Sequence, residues 1–341
     1  MTGPALGVLL PLDGMDGMGD HMMGMSGPMW MPSLPPTFER LVSIHLQPVP
    51  LLPVLALIGL GLYVWGILRL RRRGARWSWG RTVSYVAGVV ITLLATSTGV
   101  EGYGMSLLSV HMVQHMTLVM VVPILVLAGA PITLALRALP AAGQGAGVRR
   151  GLVRLLGSRF LRVLTSLPVR WLFFLSALYG IYFTPAFDGL MATVWGHNLM
   201  LLHFVATGLI FFGPLVAVDP WPHVPSPIVR LLEALASTPF HAFFGIALMS
   251  APDLIVDFYR NPPASWGIDV LHDQAVAGGI AWATSEVPTL LLAGVILVEW
   301  IRSDKREAAR HDRSEDRTGD AALTAYNEQL AAMARRDASL R

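Results

Sequence analysis

The feature that most limits how this chain can fold is the length of its uncharged stretches. Residues 102–136 contain no Asp, Glu, Lys or Arg, and the same is true of residues 41–68 and 189–218. The hydrocarbon core of a bilayer takes about 20 helical residues, so runs of this length read as membrane crossings. Composition agrees. Hydrophobic residues make up 54% of the 341-residue chain, mean hydropathy is +0.56, and 14% of residues are charged, against about 25% in soluble domains. The chain therefore reads as an all-α, polytopic transmembrane helix bundle. Strong helix formers and the absence of period-two alternation argue against a barrel.

Seven spans are expected, near residues 50–68, 82–99, 107–129, 170–186, 196–217, 230–250 and 275–300. The fourth is short for a crossing. Arginine sets the orientation. The stretch RLRRRGARWSWGR carries six, and the segment from Arg137 to Arg170 carries seven, whereas the connections around Glu101 and Asp188 carry none. The positive-inside rule places both Arg-rich segments in the cytoplasm, which puts the N-terminus outside and the C-terminus inside. Three regions follow: an extracytoplasmic leader over 1–45, a membrane domain over 46–301 and a charged cytoplasmic tail over 302–341. Within 137–170, basic and apolar residues alternate at helical spacing. This predicts an amphipathic segment lying on membrane lipid at the anionic inner leaflet, with Leu152, Leu155, Leu156 and Phe160 dipping in. A solvated helix that binds a partner is the other reading.

The sequence pI near 9.5 comes from these arginines and does not imply a nucleic-acid partner; Lys305 is the single lysine. The chain has no cysteine, which excludes disulfides, thiolate metal sites and thiol redox chemistry. The apolar stretch Ala5–Leu12 is short and has no preceding positive residue, unlike a cleavable signal peptide. No internal repeat stands out.

With the topology set, most of the ten histidines gather in the outer half of the membrane. His111 and His115, in SVHMVQHMTLVM, are spaced i, i+4 and share a helix face. Met112, Met116 and Met120 form a neighbouring stripe. His197 lies at the outer rim of span five and His203 two turns deeper, His241 at mid-depth in span six, and His272 and Asp273 at the outer rim of span seven. A single rim histidine often serves only as an interfacial hydrogen-bonder. Imidazole and thioether together, without thiolate, suit copper, and more specifically Cu(I). Glu286, deep in span seven and followed by Pro288, either faces a partner or polar cavity or caps backbone freed by the proline.

The leader stretch DGMDGMGDHMMGMSGPMWM carries seven methionines among glycines, with no Leu, Ile or Val to pack a core. It reads as disordered. Met15, Met18, His21, Met22, Met23 and Met25 are candidate copper ligands of modest affinity that raise the local metal concentration. A dispensable extension, or a surface anchor using Trp30 and Met31, is the rival reading.

The segments HMVQHMTLVMVVPILVLAGAPITLALRALP, LTSLPVRW, HNLMLLHFVATGLIFFGPLVAVDP, HAFFGIALM and DQAVAGGIAWATSEVPTLLL resemble the CtaG-type cytochrome c oxidase assembly factors. The tail WIRSDKREAARHDRSEDRTGDAALTAYNEQL is similar to that of the actinobacterial branch, which is sometimes fused to a copper-resistance-type membrane domain. The resemblance covers nearly everything from about residue 40 onward. It implies a multi-pass protein of the bacterial cell membrane, not an enzyme, which helps supply copper to the oxidase. Its implied partners are oxidase subunits and a copper chaperone. The family's histidine motif maps onto His111 and His115, its span-five histidines onto His197 and His203, and its span-seven aspartate onto Asp273. Where many members have a histidine before the proline that ends span four, this chain reads YGIYFTPAF, with Tyr182 and Phe183. Two other functions stay open from the residues. One is a copper transporter or copper-resistance membrane protein with His241 and Glu286 as deeper stations; the other is a haem-binding membrane redox protein. A retinal protein is disfavoured, because span seven has no lysine for a Schiff base.

Overall fold

A computed structural model of the chain describes residues 29–143, 145–318 and 321–339. Six of its helices are long and apolar enough to cross a membrane. They are span one (Leu51–Arg72), span two (Trp79–Thr96), span three (Leu108–Ala138), span five (Val194–Val216), span six (Pro227–Ser250) and span seven, whose helix runs on from Val270 to Thr318. The apolar helix Leu167–Gly180 is shorter and occupies the place of span four. With it the two ends of the described chain fall on opposite sides, in agreement with the arginine distribution. The described residues form a multi-pass transmembrane helix bundle.

Two irregularities shape the core, and both are sequence-local. Span three takes a π turn at Thr117–Val121, closed by Val122 N–H donating to the Thr117 carbonyl. Pro123 follows, and its missing N–H leaves the Val119 carbonyl without its helical donor. Gly208 of span five presses against that bend. A Cβ there would overlap the Val119 carbonyl oxygen and the Pro123 ring, so glycine is what lets span five pack this close to the bend. Span four takes a second π turn at Ser176–Gly180. Spans six and seven cross where Gly245 and Gly278 meet backbone to backbone.

Charged and polar side chains tie the ends. Span three restarts at Pro131 after Ala130, which adopts φ +53. The free N–H groups of this new helix start are met by Asp219, whose carboxylate accepts from Ile132 N at 3.1 Å and Thr133 N at 2.7 Å. At the cytoplasmic ends of spans four and six, Arg170 and Glu233 form a buried ion pair at 2.9 Å. Arg230 donates to the Leu215 carbonyl at 2.7 Å and to Glu299 at 3.1 Å, which caps the end of span five and holds span seven to it. The Arg-rich segment forms two short helices, Ala146–Leu156 and Arg159–Leu164. Leu152 and Leu155 line an apolar cavity of about 600 Å³ shared with Leu62 and Trp65 of span one, while Phe160 is exposed.

At the outer end, a short helix (Gly99–Gly104), the loop 251–269 and residues 29–47 cover the bundle. Tyr259 donates to the Gly104 carbonyl at 2.8 Å and Trp266 to the Ser33 carbonyl at 3.2 Å. Met29 is buried in the main core, and Trp30 stacks on His45 with ring centroids 4.1 Å apart. Trp30 also exchanges two hydrogen bonds with Gln47, at 2.8 and 3.0 Å.

Candidate functional site

His111 and His115 sit one turn apart on the inward face of span three, and both are fully buried. Phe204 of span five lies 4.2 Å from the His115 ring, and Phe187 lies 5.1 Å from the His111 ring. One hydroxyl joins the pair: Tyr182 Oη is 2.9 Å from His111 Nε2 and 2.6 Å from His115 Nδ1. Tyr182 comes two residues after the π turn of span four, and the span-three π turn begins two residues after His115. A π turn inserts an extra residue and re-aims the side chains beside it, and such turns are frequent at functional sites.

Proton counting limits what this cluster can be. A neutral imidazole has one N–H and one lone pair, and a tyrosine has one proton to donate. If Tyr182 donates to one histidine it must accept from the other. The two far nitrogens, His111 Nδ1 and His115 Nε2, are buried and have no hydrogen-bond partner. In that state one of them carries the proton and the other a bare lone pair. Both become lone-pair donors together only when both histidines donate to Tyr182. His241 supplies a third such atom. Its Nδ1 faces the Ser237 carbonyl at 3.2 Å and must donate there, which leaves Nε2 as a buried lone pair without a partner. Buried polar atoms left unpaired cost free energy and call for an explanation.

His197, His203 and His241 all lie within electrostatic reach of the pair. His197, buried at the outer start of span five, has Nδ1 4.0 Å from Glu101 Oε1. Glu101 belongs to the covering helix, outside the spans; burial pushes its carboxyl up to about 8, and Oε2 has no partner. His203 is half-buried, with Nε2 3.2 Å from Ser176 Oγ. Met112, Met116 and Met120 are all buried in the same core. Among the described residues, no three His, Cys, Asp or Glu side chains converge as a closed metal site requires. The cluster instead offers separate imidazole nitrogens among aromatic rings and thioethers. That donor set suits a soft monovalent ion held by few ligands.

The remaining candidates fall elsewhere. His272 is exposed, apart from the cluster. Asp273 faces span three: it accepts from the Ser109 backbone N–H at 3.2 Å and also from the Ser109 hydroxyl, so it caps that helix start. Its partner is Ser109 and not His272. Glu286 points outward, with Oε1 accepting from Trp282 Nε1 at 2.8 Å; neither a polar cavity nor the backbone near Pro288 receives it. Met15, Met18, His21, Met22, Met23 and Met25 lie outside the described residues. Sequence reasoning missed Tyr182 as the bridge and Glu101 as a buried carboxyl. Tyr182 stands in the stretch that departs from the histidine pattern, and Glu101 is the one charge in residues 82–136; those were the available signals.

A profile of the family described as cytochrome c oxidase caa3 assembly factor matches residues 61–303. Among curated proteins, an uncharacterized protein of Mycobacterium leprae is 40% identical over 82% of this chain and 43% of its own length. Uncharacterized proteins of Mycobacterium bovis and Mycobacterium tuberculosis are each 37% identical over 88% of this chain and 46% of their own lengths. The chain thus spans about half the length of the curated relatives it matches. No solved structure matches it.

Proposed function

The chain belongs to the cytochrome c oxidase caa3 assembly factor family, and we propose that it serves oxidase assembly by holding copper as cargo at the His111/His115 cluster and passing it to an oxidase subunit. The observation that carries this reading is the set of three buried imidazole nitrogens without hydrogen-bond partners, at His111, His115 and His241. With His111 and His115 both donating to Tyr182, these nitrogens are neutral lone pairs, and copper held by one or two of them, with no anionic ligand beside it, remains releasable. The protein acts as a carrier and not as a catalyst.

The outer cover supports a route from outside. Trp30 lies against Gly102, where a Cβ would overlap its ring, and Gly102 adjoins Glu101, which faces His197. The leader therefore enters the bundle beside the outer end of the histidine cluster. In this reading its methionines collect copper and deliver it there, directly or from a separate copper chaperone. Delivery outward is favoured over transport inward by the cytoplasmic side. Below His241, the positions Ser237 and Glu233 follow on one helix face, and Glu233 is closed by the Arg170 guanidinium. The two side chains are committed to each other, so Glu233 offers no free carboxylate to a copper ion moving toward the cytoplasm.

The test is a deletion strain complemented with His111→Ala/His115→Ala. The variant is expected to insert normally and to leave the oxidase short of copper. Full copper content in the oxidase of that strain would overturn the proposal. Uptake of copper into proteoliposomes by the wild-type chain would favour the transporter reading instead.

A further inference from the structure

The outward face of span seven carries a pattern that lipid alone does not explain. Gly279, Ala283, Glu286, Leu290, Gly294 and Leu297 follow at steps of three and four residues, the spacing of one helix face that packs against another helix. Leu290 is 63% exposed. Open space surrounds Gly279 and Gly294, with nothing within 4 Å of where a Cβ would stand. Small residues on a membrane helix face let a second backbone come close. Glu286 sits in the middle of the apolar stretch with one oxygen bonded to Trp282 and the other free of the bundle. A carboxyl group at that depth, turned toward lipid, is costly unless a partner meets it.

The same chain end shows a second unpartnered stripe. The helix Ala321–Ser339 exposes Leu323, Tyr326, Leu330 and Met333, each between 43% and 58% accessible, again at steps of three and four. A helix of this length with an uncovered a/d seam is marginal alone and gains stability from a parallel partner. From the two stripes together we infer that the occupant is a second copy of this chain, packed in parallel along span seven and the C-terminal helix.

Two-fold symmetry about the membrane normal carries the argument. It places each Glu286 opposite its own copy at one depth, with no need for a matching residue on another protein. Side chains so placed meet across the axis while Trp282 keeps its own bond to each. The same parallel arrangement puts both C-terminal helices on one side of the membrane, where their exposed seams meet. The inference is independent of copper binding.

The native absence of cysteine makes the test direct. Single-cysteine variants of the full-length protein, Ala283→Cys, Leu330→Cys, Leu62→Cys and Leu199→Cys, are oxidised with iodine in native membranes. Leu62 and Leu199 are exposed on spans one and five and serve as collision controls. Covalent dimers are expected from positions 283 and 330 and only at background from the controls. In the Ala283→Cys chain, Glu286→Ala is expected to lower dimer yield about tenfold, the worth of an interhelical hydrogen-bonded pair of about 1.4 kcal/mol, while Glu286→Gln keeps it. Gly279→Leu adds bulk where the bundle has room and blocks close approach, so it should also abolish the dimer while leaving the monomer intact. Dimer yields at 283 and 330 no higher than at the controls would overturn the inference, as would a yield indifferent to both Glu286→Ala and Gly279→Leu. Cross-linking of position 283 to a different protein in place of a second copy would overturn it as well.

Discussion

Replacing Tyr182 by Phe removes one oxygen and leaves the ring in place. The oxygen lies within hydrogen-bond distance of both His111 Nε2 and His115 Nδ1, and the site is closed to water, since all three side chains are at most 1% exposed. No cavity larger than a hydroxyl is made, so the cost is that of two orphaned buried nitrogens. The rule from soluble proteins, about 1–3 kcal/mol for each orphaned group, gives about 2–6 kcal/mol. In a membrane the unfolded reference also finds partners, and measured interhelical hydrogen bonds average about 0.6 kcal/mol with a maximum near 1.7. The second scale governs here, because spans three and four stay in lipid when they separate. The expected loss is about 1–3 kcal/mol, read from reversible unfolding in mixed micelles. A double-mutant cycle of Tyr182→Phe with His115→Ala isolates the bond. A loss under about 0.5 kcal/mol, or no coupling in the cycle, would refute the bridge and with it the proton counting built on it.

Asp273→Ala should destabilise the start of span three by about 1–2 kcal/mol, the worth of an N-cap, and Asp273→Asn by less; equal effects of Asp273→Ala and His272→Ala on melting would contradict the Ser109 link. Gly208→Ala forces a methyl group into the Val119 carbonyl and Pro123 ring, and the expected loss is about 1–3 kcal/mol or failure to insert, checked by thermal melting in detergent. Glu101 keeps its proton up to about 8 when folded, whereas an ordinary carboxyl releases it near 4.5; its contribution is fully present below 4.5 and is lost as pH rises through 8, so metal-free protein should weaken over that interval and Glu101→Gln should flatten the profile. Deleting residues 13–28, which spares the docked Met29 and Trp30, should impair oxidase assembly when copper is scarce and leave it normal when copper is plentiful; normal assembly under a copper chelator would remove the leader from the account.

The bundle itself was readable in the sequence because crossings announce themselves by length and arginine by side. The extra length of span seven past residue 300 was less so, since a polar helix and a loop share composition. The His111/His115 pair was readable from its i, i+4 spacing, which survives any packing. Its partner Tyr182 was not, because a π turn shifts the register of span four just before it and because contacts 67 and 71 residues apart leave no local trace. Asp273 illustrates the same limit. It and His272 are neighbours at the outer rim of span seven, but consecutive helix positions point about 100° apart, so His272 is exposed while the aspartate turns to Ser109, 164 residues away. Glu286 was recognisable as costly, while its direction depended on which face of span seven meets span six, a choice made by Gly278 against Gly245.

X-ray absorption at the copper edge tests the central claim most directly. Purified protein lacking residues 13–28 is loaded with Cu(I) and compared with the same chain carrying His111→Ala/His115→Ala. The expected result is bound copper with imidazole nitrogen directly coordinated, and loss of that copper in the variant. Copper retained by the variant with an unchanged spectrum would contradict it.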